Sequence, residues 1–185
     1  MSIILMKHYR LQQDKLSELA NQLQEVAHLD PLTHIYNRRY LVEYLNKKMK
    51  IESQKFAVVL LDIDDFKSIN DQYGHIYGDQ TLQAFSDSMK KNMDNKGIVT
   101  RFGGEEFMLV FDDINHEVIE DTLNKVAEEF ALYGKQSKGI ELSFSGGVEV
   151  FYQEDEIVKL FNRADHKLYY AKHTGKKKIV FDIDV

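Results

Sequence analysis

The chain has 185 residues, 43% of them apolar, and a formal charge of −6. That length and apolar content suit one domain plus an appendage, and the net acidity argues against a general nucleic-acid binder. With no cysteine there is no disulfide and no Cys-based zinc centre, which fits a reducing cytosol.

The apolar start Ile3-Ile4-Leu5-Met6 is far too short to span a bilayer, and no cleavable signal is evident. Residues 1–29 read as one helix. Leu5, Gln12, Leu19 and Val26 recur every seven residues, as do Tyr9, Leu16 and Leu23, with Gln12 as a polar interruption. The stripe is narrow and its flanks are polar, which favours a parallel coiled coil between two chains over a helix packed on its own domain. The single proline, Pro31, marks the boundary, so residues 1–29 are expected to form a dimerisation helix and residues 30–185 the domain.

Asn37 reads as the N-cap of a helix carrying Tyr40, Leu41, Tyr44, Leu45 and Met49 on one face. Phe56 to Leu61 is a continuous apolar run, expected as a strand buried on both faces, and it ends in Asp62-Ile63-Asp64-Asp65. Phe66 to Tyr73 is a short helix bearing Lys67, Asn70 and Asp71. Gly74 to Asp79 reads as a loop, with Asp79 able to cap a following helix that carries Leu82, Phe85 and Met89.

Arg101-Phe102-Gly103-Gly104-Glu105-Glu106-Phe107 lies between apolar runs and predicts strand, tight Gly-Gly turn, strand. Adjacent strand residues face opposite ways, so Glu105 and Glu106 cannot do the same job. A helix over 116–133, with Val118, Leu123, Val126, Phe130 and Leu132 inward, leads to a long strand over 140–151. The pair Gly146-Gly147 in that strand implies a bulge or a close backbone approach. A helix over 155–172 and a strand over 177–183 finish the chain. The alternation around one hairpin predicts an α+β fold, a ferredoxin-like or palm-like mixed sheet flanked by helices.

The polar residues at element ends form a constellation. Asp62, Asp64, Glu105 and Glu106 would bring three or four carboxylate oxygens together with the Ile63 carbonyl if the two strands are neighbours. Hard oxygen ligands without His or Cys suit Mg2+. Lys67, Lys172 and Lys176 stand near helix ends or loops, able to hold a polyphosphate. Asn70 and Asp79 present an amide and a carboxylate to a base edge. Metal, phosphate clamp and base reader together make a nucleotide phosphoryl-transfer site.

Several separate motifs, in order over about residues 29–183, strongly resemble the GGDEF family of diguanylate cyclases in its GGEEF form. They are Asp30-Pro31-Leu32-Thr33 with Asn37-Arg38-Arg39, Asp62-Ile63-Asp64-Asp65-Phe66-Lys67 with Asn70-Asp71, Gly74-His75 with Gly78-Asp79, and Arg101 to Phe107. Ser145-Gly146-Gly147-Val148, Ala164-Asp165 with Leu168-Tyr169, and Ala171-Lys172 with Gly175 complete the set. The resemblance implies condensation of two GTP into cyclic di-GMP with release of two pyrophosphates, by two protomers facing across a two-fold axis. It implies that Asp62, Glu105 and the Ile63 carbonyl hold two Mg2+ or Mn2+ ions. Glu106 would be a further metal ligand or help deprotonate the 3′-hydroxyl. Asn70 and Asp79 would read guanine. Lys67, Lys172 and Lys176 would bind the β- and γ-phosphates, with backbone amides near Asp65 and Phe66. Gly103 and Gly104 would let the nucleotide lie against the turn. In this family the N-terminal helix usually carries a signal from an upstream sensor domain.

Three positions bear on finer points. The family's inhibitory product site is Arg-x-x-Asp, and this chain has Asp94-Asn95-Lys96-Gly97 there, so no product inhibition through that site is expected. His34 stands where a glycine is usual, in a conformation His reaches less easily. Asp79 is the family's usual acid, where hybrid cyclases that also take ATP carry Ser, which points to GTP alone. The main rival is a catalytically silent GTP- or cyclic di-GMP-binding regulatory module, but such members usually lose the turn acids and keep the product site, the reverse of this chain. A purely structural coiled-coil protein has no use for Asp62, Lys67, Glu105 and Glu106 together. A template-directed transferase would need a basic groove, which the net acidity disfavours.

Overall fold

The computed structural model describes residues 12–13, 15–16, 27–153 and 155–182. The heptad stripe expected in residues 1–29 lies almost wholly outside them. A two-residue strand, β1 (Tyr36–Asn37), leads into helix α1 (Arg38–Lys48). Asn37 caps α1 as expected, its side chain accepting the Tyr40 N–H. The apolar run forms β2 (Ala57–Ile63), two residues longer at its acidic end than its apolar core suggests. Helix α2 (Phe66–Tyr73) follows, and Gly74 alone joins it to α3 (His75–Asn92). The expected loop over 74–79 is therefore absent. Gly74, at φ 82°, turns the chain in one residue, and Asp79 sits inside α3 rather than capping it.

The hairpin is β3 (Gly97–Gly103) and β4 (Glu106–Phe111). Helix α4 (His116–Lys138) runs five residues past its expected end, and Leu132 on it is exposed rather than inward. Strand β5 (Phe144–Val150), helix α5 (Ile157–His173) and a two-residue strand β6 (Ile179–Val180) complete the order; β5 and β6 are shorter than expected.

The sheet order is β1-β3-β4-β2-β5-β6. β2 pairs antiparallel with β4 and β5, while the short outer strands pair parallel, β1 with β3 and β6 with β5. The inner four strands follow the ferredoxin-like order, as the element alternation predicts. Both faces are covered. Val59, Leu61 and Ile63 join one core with Phe85, Val126 and Phe130, under α2, α3 and α4. Val58 and Leu60 join a second core with Met108, Val110, Leu41, Leu45, Leu160 and Leu168, under α1 and α5. A strand covered on both sides has no polar alternation to show, which is why β2 reads as an unbroken apolar run.

Of the two roles offered for Gly146-Gly147, close approach is the one found. The β2–β5 register runs through the pair without a shift. A Cβ on Gly147 would run into the Ala164 carbonyl, the Leu168 N–H and Lys167 of α5. The glycine lets the helix lie directly on the strand, and both stand behind the acidic end of β2.

Candidate active site

The pleat of β2 builds the site. Val58, Leu60 and Asp62 point to the face covered by α1 and α5. On the neighbouring strand Val110, Met108 and Glu106 point the same way, and Asp62 is directly opposite Glu106. Each apolar stripe thus ends in an acid at the same edge of the same core. The turn between β3 and β4 is Gly104-Glu105, one residue later than the expected Gly103-Gly104 turn. Gly103 already pairs with Glu106, after a register shift at Phe102, and Gly104 alone carries positive φ, 50°. Glu105 therefore sits in the turn rather than at the head of the strand. Its carbonyl accepts the Ile63 N–H at 3.3 Å, which ties the turn to the end of β2.

Asp62 is mostly buried, its side chain 13% exposed. Lys172, from the last turn of α5, forms an ion pair with Oδ1, and no second side chain among the described residues donates to the Asp62 carboxylate. Burial above all, then the charges of Glu105 and Glu106, pushes Asp62 up to about 6 despite the opposing pull of Lys172. Glu106 is raised too, by burial first and then by Asp165 and Glu105, against Lys172 and Arg38. A mostly buried carboxylate with one lysine as partner, facing a second acid, is a donor set with charge to spare for a cation. All the donors are oxygens, which fits Mg2+ or Mn2+. Among the described residues no three His, Cys, Asp or Glu side chains already sit at the spacing of a metal centre.

One expected member is elsewhere. Asp64 does not converge with Asp62. It turns to β5, where its carboxylate accepts the Ser143 and Ser145 hydroxyls and the Lys177 N–H. The partner serines lie 79 and 81 residues away in sequence, so no local signal marks the contact.

The remaining residues surround this edge. Asp65 starts α2 in a left-handed conformation, φ 56°, and offers the helix no side-chain cap. The first N–H groups of α2, at Phe66 and Lys67, thus have no cap from that side chain. Lys176, in the loop after α5, donates to Asp65 Oδ1 at 2.7 Å. Phe66 is buried in the core and anchors the start of α2. Lys67 lies exposed on the first turn of α2, and Asp79 is exposed on α3. Asn70 is half-buried, and Gly78, the residue before Asp79, packs so closely on its amide that a Cβ there would collide.

A second contact missed by the sequence reading locks the turn from behind. Arg101 donates through Nε and Nη2 to the Gly104 carbonyl, at 3.0 and 2.8 Å, and through Nη1 to Asp30 at 3.0 Å. Asp30 also accepts the N–H groups of Leu32 and Thr33 and the Thr33 hydroxyl. Burial works against its charge, but Thr33 and Arg101 outweigh it and hold Asp30 below the usual carboxylate range. Residues 30–33 are thereby fastened to the turn that carries Glu105.

Comparison with known proteins gives the family. The family model described as "Diguanylate cyclase, GGDEF domain" matches residues 27–178. A probable diguanylate cyclase of Escherichia coli K12, DgcF, is 34% identical over 171 residues, covering 88% of this chain and 54% of the relative. The chain spans from 25% to 54% of the length of the curated diguanylate cyclases DgcP and DgcF that it matches. Among solved structures, the diguanylate cyclase SiaD of Pseudomonas aeruginosa, in complex with its activator SiaC, superposes with a TM-score of 0.81 at 29% identity, covering 96% of this chain and 72% of that one. The active GGEEF domain of a Vibrio cholerae diguanylate cyclase superposes with a TM-score of 0.72 at 27% identity, covering 80% of this chain and 98% of that domain. The chain belongs to the GGDEF domain family of diguanylate cyclases.

Proposed function

We propose that the domain is an active diguanylate cyclase, condensing two GTP into cyclic di-GMP and two pyrophosphates as a homodimer. The observation that carries this reading is the mostly buried Asp62 carboxylate, with Lys172 as its one counter-charge, directly opposite a second acid, Glu106. That arrangement costs stability in a folded chain, and a cation would relieve it. Asp62, the Ile63 carbonyl, Glu105 and Glu106 would hold two Mg2+ or Mn2+ ions. When bound, such ions neutralise phosphate charge and favour the ionised 3′-hydroxyl. Glu106 would complete that set or accept the hydroxyl proton.

The chain's own residues supply position. Lys67, Lys172 and Lys176, with the amides near Asp65 and Phe66, would take the β- and γ-phosphates at the N-terminus of α2. Asp79 would accept the N1–H and N2–H donors of guanine, and Asn70 would bond a second polar atom of the base. Adenine has no N1–H, so an acid at this position favours GTP. Gly103 and Gly104 leave the approach to the turn free of side chains, with no atom close enough to crowd a Cβ at Gly104. One protomer holds one GTP, so two must face each other, and the N-terminal helix would raise their effective concentration. No helix among the described residues is long and apolar enough to cross a membrane. The reading places the domain in the cytosol with its nucleotide, and leaves room for an upstream sensor.

Product inhibition through the usual site is not part of this reading. Gly97 stands where the pattern has Asp, and a Cβ there would collide with the Val110 carbonyl. Lys96 is turned to the Asn92 carbonyl and the Thr122 hydroxyl.

The test is purified protein with GTP and Mg2+, products resolved by chromatography with mass detection. Cyclic di-GMP should appear, at a rate that added product does not slow. If none appears, even with a strong parallel zipper fused upstream, the silent binding module takes the place of the enzyme.

A further inference from the structure

The loop after α5 is held in an unusual shape. Gly175, Lys176 and Lys177 carry φ of 119°, 60° and 51°, three left-handed residues in succession, two of them with side chains. L-residues with a Cβ disfavour that region, so the loop keeps this shape only if its surroundings impose it. Its far end is fixed to β5, where the Gly146 N–H donates to the Lys178 carbonyl at 3.0 Å, and two backbone contacts hold the left-handed residues themselves. The Lys176 N–H donates to the Ala171 carbonyl at 3.0 Å, and the Lys177 N–H donates to Asp64 Oδ2 at 3.1 Å. The second is the only one of the two that reaches outside the α5 end, to the strand that carries Asp62.

Asp64 is built to be a fixed acceptor. Its side chain is 6% exposed. Ser145 Oγ donates to Oδ1 at 2.7 Å and Ser143 Oγ to Oδ2 at 2.8 Å, while the Asp64 N–H donates to the Ser143 carbonyl at 2.9 Å. Both carboxylate oxygens thus already have donors within the protein. Lys176, next to the residue it holds, already reaches over the start of α2 to Asp65.

We propose that Asp64 is a positioning residue for the nucleotide triphosphate. Its carboxylate, anchored by Ser143 and Ser145, holds the 175–177 loop through the Lys177 N–H and thereby presents the Lys176 ammonium beside the N-terminus of α2. The inference rests on the reading of Lys176 as a phosphate ligand. A lysine on a loop already ordered loses less freedom on binding, so the benefit falls on the β- and γ-phosphates and not on the base or the α-phosphate.

The experiment is calorimetric binding of 3′-deoxy-GTP, which cannot react, and of GMP, with Mg2+. The variants are Asp64→Ala, Asp64→Asn, Lys176→Ala and the double Asp64→Ala, Lys176→Ala. Each alanine single should weaken the triphosphate about tenfold, the scale of one contact to a charged group. GMP should stay within about twofold of wild type, and the double should be no weaker than the Lys176→Ala single by more than about twofold, because one residue acts through the other. Asp64→Asn keeps an acceptor for the Lys177 N–H and should bind within about threefold of wild type. If Asp64→Ala does not fold, the double Ser143→Ala, Ser145→Ala, which frees the carboxylate from its anchors, replaces it with the same expectations. Additive losses in the double, or equal losses for GMP, overturn the proposal. Unchanged triphosphate affinity in Lys176→Ala overturns the phosphate reading beneath it, an outcome distinct from a loss in Lys176→Ala that Asp64→Ala does not share.

Discussion

Two acids two residues apart at the end of β2 live in opposite environments. On the β5 side, Asp64 is buried with three donors shared over both oxygens. On the β4 side, Asp62 is nearly as buried, yet Lys172 is its one partner and a second acid stands directly across from it. Like charges opposite each other on neighbouring strands destabilise a sheet, and buried charges need hydrogen bonds or counter-charges. The first side is what folding alone selects. The second is an unresolved local conflict, of the kind expected at a site made for a ligand. The end of the strand at Ile63 makes the contrast possible: Asp62 is still held in β2, Asp64 is already past it, so one acidic run meets two environments.

The largest effect should come on the β4 side. The double Glu105→Ala, Glu106→Ala should lower cyclic di-GMP synthesis by at least about a hundredfold, while its thermal midpoint stays within a few degrees of wild type, as a melting curve would show. A large loss of stability instead would mean these acids serve the fold, and the contrast would collapse. On the satisfied side the signs reverse. Asp64→Ala leaves two hydroxyls and one N–H without an acceptor, and should cost about 3 kcal/mol in urea unfolding. A cost under about 1 kcal/mol would make Asp64 an ordinary surface acid.

Asp30 sharpens the comparison as a second satisfied acid. Its Ala variant should cost about 2 kcal/mol and loosen the turn through Arg101. Because its folded pKa lies below the unfolded value, this stability is present above the unfolded pKa. It is lost as pH falls through the folded one, so the gap between wild type and Asp30→Ala should close in acid. A gap that persists at pH 2 would remove charge from the explanation. The smallest effect lies beside it. His34 sits at φ 54°, the left-handed conformation that the usual glycine takes freely. His34→Gly should raise stability by about 0.5 kcal/mol, readable as a small upward shift of the urea midpoint.

Much of this was legible in the residues. Long apolar patterns located β2, α1, α3 and α5, because burial on one or both faces leaves a period in the sequence. The Asp62 and Glu105-Glu106 motifs marked the candidate site, because acids at the end of apolar runs have no packing reason to be there. What stayed hidden depended on distant partners. β1 is two residues long and joins the sheet through distant β3. The α2–α3 joint needed one glycine where six residues looked like a loop. Gly103-Gly104 looked like the turn, but a register shift moved the turn onto Glu105. Asp62 and Asp64 look equivalent as letters, and only the end of β2 at Ile63 separates them: Asp62 stays in the strand opposite Glu106, while Asp64, past the end, turns to Ser143 and Ser145. The heptad stripe remains an expectation about residues outside those described.

The most direct measurement is a paired one on Asp62→Asn: thermal midpoints of the metal-free protein from pH 4 to 8, and cyclic di-GMP synthesis with Mg2+. Asp62 has a folded pKa raised from 3.8 to about 6, so its favourable contribution is full below 3.8 and is lost as pH rises through about 6. Wild type should therefore lose midpoint across that window relative to the variant. At pH 8 Asp62→Asn should be at least as stable as wild type, since Lys172, 28% exposed, can reach water. The same variant should make almost no cyclic di-GMP. A variant that unfolds more easily at pH 8 and still synthesises the product would show that Asp62 serves the fold, and would contradict the account.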